Sequence, residues 1–106
     1  VWTVDQCFRQ FFKDVVEIAV DPLDKALPWT REKMGDVRWW VFVNMTYNLG
    51  IAGFLAFHAT IHAAHRGDWE ATARGMEESL WYTQVGQRSV ELCQQMRTNQ
   101  WVLPDV

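Results

Sequence analysis

The chain has no long run of one charge, no internal repeat and no low-complexity tract. Lysine and arginine together number 10 against 13 aspartates and glutamates, a net charge of −3. That balance lacks the basic patch by which a nucleic-acid-binding domain announces itself, so no nucleic-acid partner is expected. No stretch alternates apolar and polar residues for long enough to make a convincing β-strand. Cysteine is scarce. Cys7 and Cys93 are the only two; they match no metal or redox motif, and their pairing is not deducible from sequence. No cofactor and no metal site is expected. The opening "VWTVDQCF" has neither the basic flank nor the small-residue cleavage site of a signal peptide. It reads as an interior starting point, which leaves a fragment, a processed product and an incomplete chain as alternatives.

What is present is an ordinary globular balance: 106 residues, 49% hydrophobic and 22% charged. Such a length builds one real core but not two, so residues 1–106 are read as a single domain. Seven tryptophans and six phenylalanines are the unusual feature. Aromatics bring large buried area, and they also stack on sugars and partner proteins.

Helical spacing dominates. Thr3 followed by Gln6 has the geometry of a capping box. Phe8, Phe11, Phe12, Val15, Ile18 and Ala19 then recur every three or four residues, predicting an amphipathic helix that ends near Asp21-Pro22. "DPLDKALPW" reads as a loop or one short turn, with a brief helix from Thr30. "DVRWWVFVNMTYNLG" is apolar on nearly every side, as in a helix packed on several neighbours, and Gly50 is expected to end it in a left-handed cap. A helix from Ile51 to about Arg66 carries Phe54, Phe57, Ile61 and Ala64 on one stripe. Gly67 ends it and Asp68 caps the next helix, with Glu70 in the favourable first turn. Trp69, Ala73, Met76 and Leu80 face inward there. A short helical turn over 79–84 and a final helix around 87–97, with Val90, Cys93 and Met96 or Arg97 along one side, complete the pattern. The fold class is all-α: six or seven short helices, a long amino-terminal helix and a buried central one.

Residues 39–61 are long enough to span a membrane. Asn44, Asn48, His58 and the glycine pair Gly50/Gly53 interrupt them, and two buried helices joined at Gly50 explain these better. No membrane span is expected. His58, His62 and His65 share one side of a helix at a spacing open to metal ligands, but they flank the apolar stripe and read as a solvated face. Arg66-Gly67-Asp68 is accounted for by helix end and cap. Glu17, Asp21 and Asp24 have the residue types of a glycosidase carboxyl pair, yet nothing buries Glu17. No Ser–His or Cys–His pairing can be placed. No catalytic residue is assigned.

"VNMTYNLGIAGF", "GDWEATARGMEESLWYTQVGQR" and "QQMRTNQW", in this order and spacing, resemble the bacteriophage-type lysozymes, the phage endolysins that cut peptidoglycan. "LPWTREKMGDVRWWVFVNM" is similar to the family's preceding segment, with Arg38 in place. The resemblance covers nearly the whole chain. It implies the helical carboxy-terminal lobe, beginning at the helix that joins it to a smaller amino-terminal lobe. In the family that smaller lobe carries the acid Glu, followed by an Asp and a Thr. Glu17, Asp24 and Thr30 mimic these types in order but align better with the connecting helix and following loop. By resemblance, Arg88 matches the arginine facing the catalytic Glu, Trp81 the tryptophan of the Ser-x-Trp turn, and Asn48 and Gln84 polar positions near the saccharide cleft.

Two functions follow as expectations. One is the helical lobe of a muramidase that hydrolyses peptidoglycan when completed by the missing Glu/Asp/Thr segment, and is inactive alone. The other is a naturally truncated, inactive lysozyme-like phage or prophage protein, reused to bind and inhibit a host protein or to serve in the virion. In that case Phe8, Phe11 and Phe12 are the candidate contact. A phage or prophage origin leaves host cytoplasm and periplasm both open.

Overall fold

The first helix does not stop where its proline suggests. The computed structural model describes residues 13–79 and 86–102. The Thr3/Gln6 capping box and Phe8, Phe11 and Phe12 lie outside the described residues. Residues 13–15 are helical and lead into a π-helical segment, Val16–Val20, which runs straight into α1, Asp21–Ala26. Pro22 sits in the first turn of α1. A proline inside a helix lacks an N–H and its ring presses on the carbonyl four residues back. The π segment loosens that point of the ladder: Asp21 N–H donates to the Val16 carbonyl, five residues back. The extra residue per turn also turns Ile18 out of the apolar stripe. Val15, Ala19 and Leu23 are buried, whereas Ile18 is 46% exposed. Chain reversal comes later than expected. Leu27, held extended because it precedes Pro28, ends α1 with φ −132° and ψ 71°.

α2, Thr30–Leu55, is the organising element. Gly35 (φ 76°, ψ 167°) and Gly50 (φ 77°, ψ 158°) break it into helical pieces 30–34, 36–49 and 51–55. Gly50 was expected to be a left-handed cap. Its φ is positive as expected, but its ψ is extended, a conformation open essentially to glycine alone. The helical path then resumes at once. The middle piece buries Trp39, Val41, Phe42, Val43, Met45 and Thr46, a face wider than half its circumference, while Asp36, Tyr47 and Asn48 on the remaining side are exposed. It can do so because α2 packs against the π segment, α1, α3 and α5.

α3, His58–Arg66, is separate from the end of α2. The single helix expected over 51–66 is broken at Ala56-Phe57, where the two axes meet at 104°. Phe54 and Phe57, stacked with ring centroids 6.5 Å apart, span that corner, and Phe42 meets Phe54 edge-on at 4.9 Å. Burying such a ring is worth roughly 1.5–3 kcal/mol, the same order as the few hydrogen bonds a helix break gives up. Gly67, in the left-handed region, closes α3: its own N–H reaches Ala64 and that of Asp68 reaches Ala63.

α4, Trp69–Glu77, starts on Asp68, whose carboxylate accepts from the Ala71 N–H at 3.1 Å. Ala73 and Met76 are fully buried, with Trp69 packed at the core's edge. α5, Gln87–Thr98, follows Gly86 and ends at Asn99, which takes φ 57°. Its inner face is Ser89, Leu92, Cys93 and Met96. Val90, expected on that face, is 41% exposed. Leu80 and the turn over 80–85 lie outside the described residues.

Every described element is helical. Buried threonines show how the interior tolerates hydroxyls. Thr46 donates to the Phe42 carbonyl, Thr72 to Asp68 and Thr30 to Leu27, each within 2.9 Å. Among the described residues no single helix is long and apolar enough to cross a membrane; α2 and α3 taken together pass by length and composition, across their bend.

α3 and α4 approach closely at one point. A Cβ built on Gly75 would lie 2.3 Å from Thr60 Oγ1 and 3.3 Å from Thr60 Cβ. We expect Gly75→Ala to lower stability in urea by about 1–3 kcal/mol through overpacking. In a Thr60→Ala background the loss should shrink, because the offending oxygen is gone. Equal losses in both backgrounds would contradict the packing account.

Candidate functional site

Of the four residues placed on the expected cleft wall, Asn48 and Arg88 are described; Trp81 and Gln84 lie outside the described residues. Asn48 is exposed in the last turn before the Gly50 break. Its amide donates to the Asn44 carbonyl at 2.9 Å, and Asn44 donates to the Trp40 carbonyl at 2.8 Å. The two amides thus repeat one local solution, each bonding one turn back along α2. Their carbonyl oxygens remain the ends available outward. Asn44 is half-buried and Asn48 open to solvent.

Arg88 is exposed in the first turn of α5. A cation there opposes the helix dipole, and Glu91, one turn on, offsets it at 3.4 Å. This carboxylate belongs to the same helix face as Arg88, so the pair is local and does not bridge a cleft. The bonds formed by Asn48 and Arg88 stay within their own helices.

The carboxylates singled out in the sequence are not assembled into a site. Glu17 and Asp21 are exposed, Asp24 is half-buried, and buried Thr30 spends its hydroxyl on the Leu27 carbonyl. His58, His62 and His65 are all exposed. His65 packs edge-on against Trp29, ring centroids 4.9 Å apart. Among the described residues no group of three or more histidines, cysteines or carboxylates is placed to hold a metal ion.

The strongest electrostatics lie elsewhere, at the end of α5. Arg38, on α2, donates from Nε to the Met96 carbonyl at 2.7 Å and from Nη2 to the Arg97 carbonyl at 3.1 Å. Those carbonyls have no partner inside their own helix, and the cation also suits the negative end of the dipole. The guanidinium lies over the Trp69 ring at 4.5 Å, a cation–π contact. Burial lowers the pKa of Arg38 from its ordinary value. Gln95 returns the contact, donating to the Val37 carbonyl at 2.8 Å. Sequence reading noted Arg38 only through resemblance. Partners 58 and 59 residues apart leave no periodic signal.

Arg97 then ties α5 to α4. It donates to both carboxylate oxygens of Glu70, at 2.8 and 3.2 Å, and pairs with Glu77. The Arg97 hydrogen bond holds the Glu70 carboxyl below its ordinary range, and Glu70 and Glu77 together raise the pKa of Arg97. A carboxyl held ionised is the opposite of a general acid. This cluster is structural. Cys93 is a free, buried thiol pushed up to about 12, first by burial and then by the charge of Glu77.

No protein-family model matches the chain.

Two expectations follow. Arg38→Met should cost about 1.5–3 kcal/mol in urea unfolding, the scale of a hydrogen bond from a charged group. Arg38→Lys should recover little, since an ammonium cannot span two carbonyls and stack on Trp69. For Cys93, an unfolded thiol ionises near pH 8.5, well below the folded value. The folded state thus holds a proton that the unfolded chain has released, and stability from this group falls as pH rises from about 9 toward 12. Comparing wild type with Cys93→Ala across that window should show the wild-type advantage shrinking; a constant difference would contradict it.

Proposed function

We propose that this chain forms the helical lobe of a phage-type lysozyme, one wall of a groove that holds a peptidoglycan strand. The observation that carries the reading is where the resembling blocks fall in the fold. "NMTYNLG" ends at the positive-φ break of Gly50, "RGDWE" straddles the Gly67 close and Asp68 cap, and "QVGQR" includes the Gly86 start of α5. "MRTN" ends at the left-handed Asn99. Motifs that coincide with backbone junctions specify how helices meet, and this supports a shared helical architecture. In it Asn48 and Arg88 are offered to solvent, as wall residues must be. Trp81 and Gln84 are assigned to the same wall through the resemblance alone.

The chemistry limits what this wall does. Glycosidic hydrolysis needs a protonated carboxyl and a second carboxylate about 5–10 Å away across the sugar. The reading assigns neither to residues 1–106. Arg88 would steady the charge of an acid on an opposing lobe, and Asn48 would hydrogen-bond saccharide. The second reading, a lysozyme-like lobe reused to bind a protein, draws support from Val16 and Ile18, 41% and 46% exposed at the π segment. Each offers apolar surface to a protein contact, on different sides of the segment because residues i and i+2 do not share a helix face.

A turbidity assay on purified peptidoglycan distinguishes them. Residues 1–106 alone should give no lysis. Mixed with or fused to the amino-terminal lobe of a phage-type lysozyme they should restore it, and Arg88→Ala in that pairing should cut the rate by about tenfold or more. Full lysis by the lone chain would overturn the reading, and no lysis from any pairing would favour the protein-binding alternative.

A further inference from the structure

The protein carries a net charge of −3, yet one groove on its surface brings two arginines and two histidines together over small residues. It runs between α3 and α4 and has a volume of about 490 Å³. His58, His62 and Arg66 line it from α3, and Arg74 lines it from α4. The α3 residues follow one another at intervals of four, so they form one stripe about 12 Å long at 1.5 Å per residue. The floor is made of small residues: Ala59 on one side, Ala71 and Gly75 on the other. At Gly75, which has no side chain, α4 lies directly against Thr60 of α3. A larger residue there would press the two helices apart.

From these observations we propose that the α3–α4 groove is a binding site for a multivalent phosphate ligand, distinct from the wall formed by Asn48 and Arg88 and independent of the muramidase reading. Two guanidiniums supply planar, bidentate donors matched to phosphate oxygens. Each imidazole supplies at least one N–H donor whatever its charge state. The stripe is longer than a single phosphate needs and suits a short run of linked phosphates.

Competing carboxylates are present and weakly engaged. Asp68 is 3.9 Å from Arg66, and Glu70 is 3.7 Å from Arg74, both between exposed side chains. Exposed pairs of that length hold little energy. Glu70 in addition gives both oxygens to Arg97, which leaves Arg74 able to turn toward a ligand. Glu78 is the one carboxylate among the residues lining the groove. Its charge opposes an anion bound beside it, so the ligand's phosphates are placed on Arg66 and Arg74.

Calorimetric titration with inorganic tripolyphosphate at moderate salt tests the site. Saturable binding with one ligand per chain is expected. Arg66→Gln/Arg74→Gln should weaken it by about a hundredfold, roughly tenfold for each lost charge-assisted contact. Ala59→Glu places a carboxylate on the floor at an exposed helical position that tolerates it, and should abolish binding. Lys25→Gln, on α1, removes a cation elsewhere and should leave affinity unchanged. Thermal unfolding of each variant checks that it folds. A second arm replaces tripolyphosphate with vesicles containing anionic phospholipid; binding there, lost in the same variants, assigns the phosphate source to a lipid headgroup. No saturable binding in either arm, or equal loss in Lys25→Gln, would overturn the proposal.

Discussion

The fold is arranged around a helix that buries more than half of its surface. Between Gly35 and Gly50, α2 buries a broad apolar face and leaves Asp36, Tyr47 and Asn48 to solvent, and such a face is stable only if neighbours cover it. The π segment, α1, α3 and α5 do so. The two glycines set its length. Each takes a positive φ that lets the chain leave and rejoin the helical path, so the central piece can be straight while its flanks bend to meet other layers. Trp39, Phe42 and Met45 give the core its volume, and the corner at Ala56-Phe57 then swings α3 across the end of α2.

Polar groups do a different job. They fix how the helices dock, without adding much to burial. Arg38 ends α5 by satisfying its last carbonyls, Gln95 reaches back to α2, and Arg97 links α5 to α4 through two carboxylates. One end of one helix is thus tied to two others by charge-assisted bonds whose geometry admits little slack. The positions of Asn48 and Arg88 relative to each other depend on that registry, since one lies at the end of the central helix and the other at the start of α5. A shift of α5 along its axis would move Arg88 without breaking any bond of its own.

Much of the architecture is legible in the residues. Gly67 and Asp68 announce a helix end and a cap because each has one strong local preference, and the all-round apolarity of 36–49 announces a central helix. What stays hidden has a common cause. Pro22 argues for a helix end, but a π turn absorbs it, and nothing local in "VEIAV" foretells that turn. The break at Ala56-Phe57 contains no glycine or proline; it is imposed by where Phe54 and Phe57 must pack. Val90 matches the helical period of the inner face and still points to solvent, because α5 is rolled by its ties to Arg38 and Glu70. The proposed cleft wall is less legible than the fold. Asn48 and Arg88 were found through resemblance, and their local bonds carry no mark of saccharide chemistry.

The central functional claim is that the face bearing Asn48 and Arg88 receives a peptidoglycan saccharide. It is tested most directly by titrating isotopically labelled protein with a soluble peptidoglycan tetrasaccharide while following backbone amide resonances. The account predicts saturable shifts concentrated at residues 47–50 and 86–89, with α3 and the π segment unmoved. No shifts at saturating sugar, or shifts confined to another face, would contradict it.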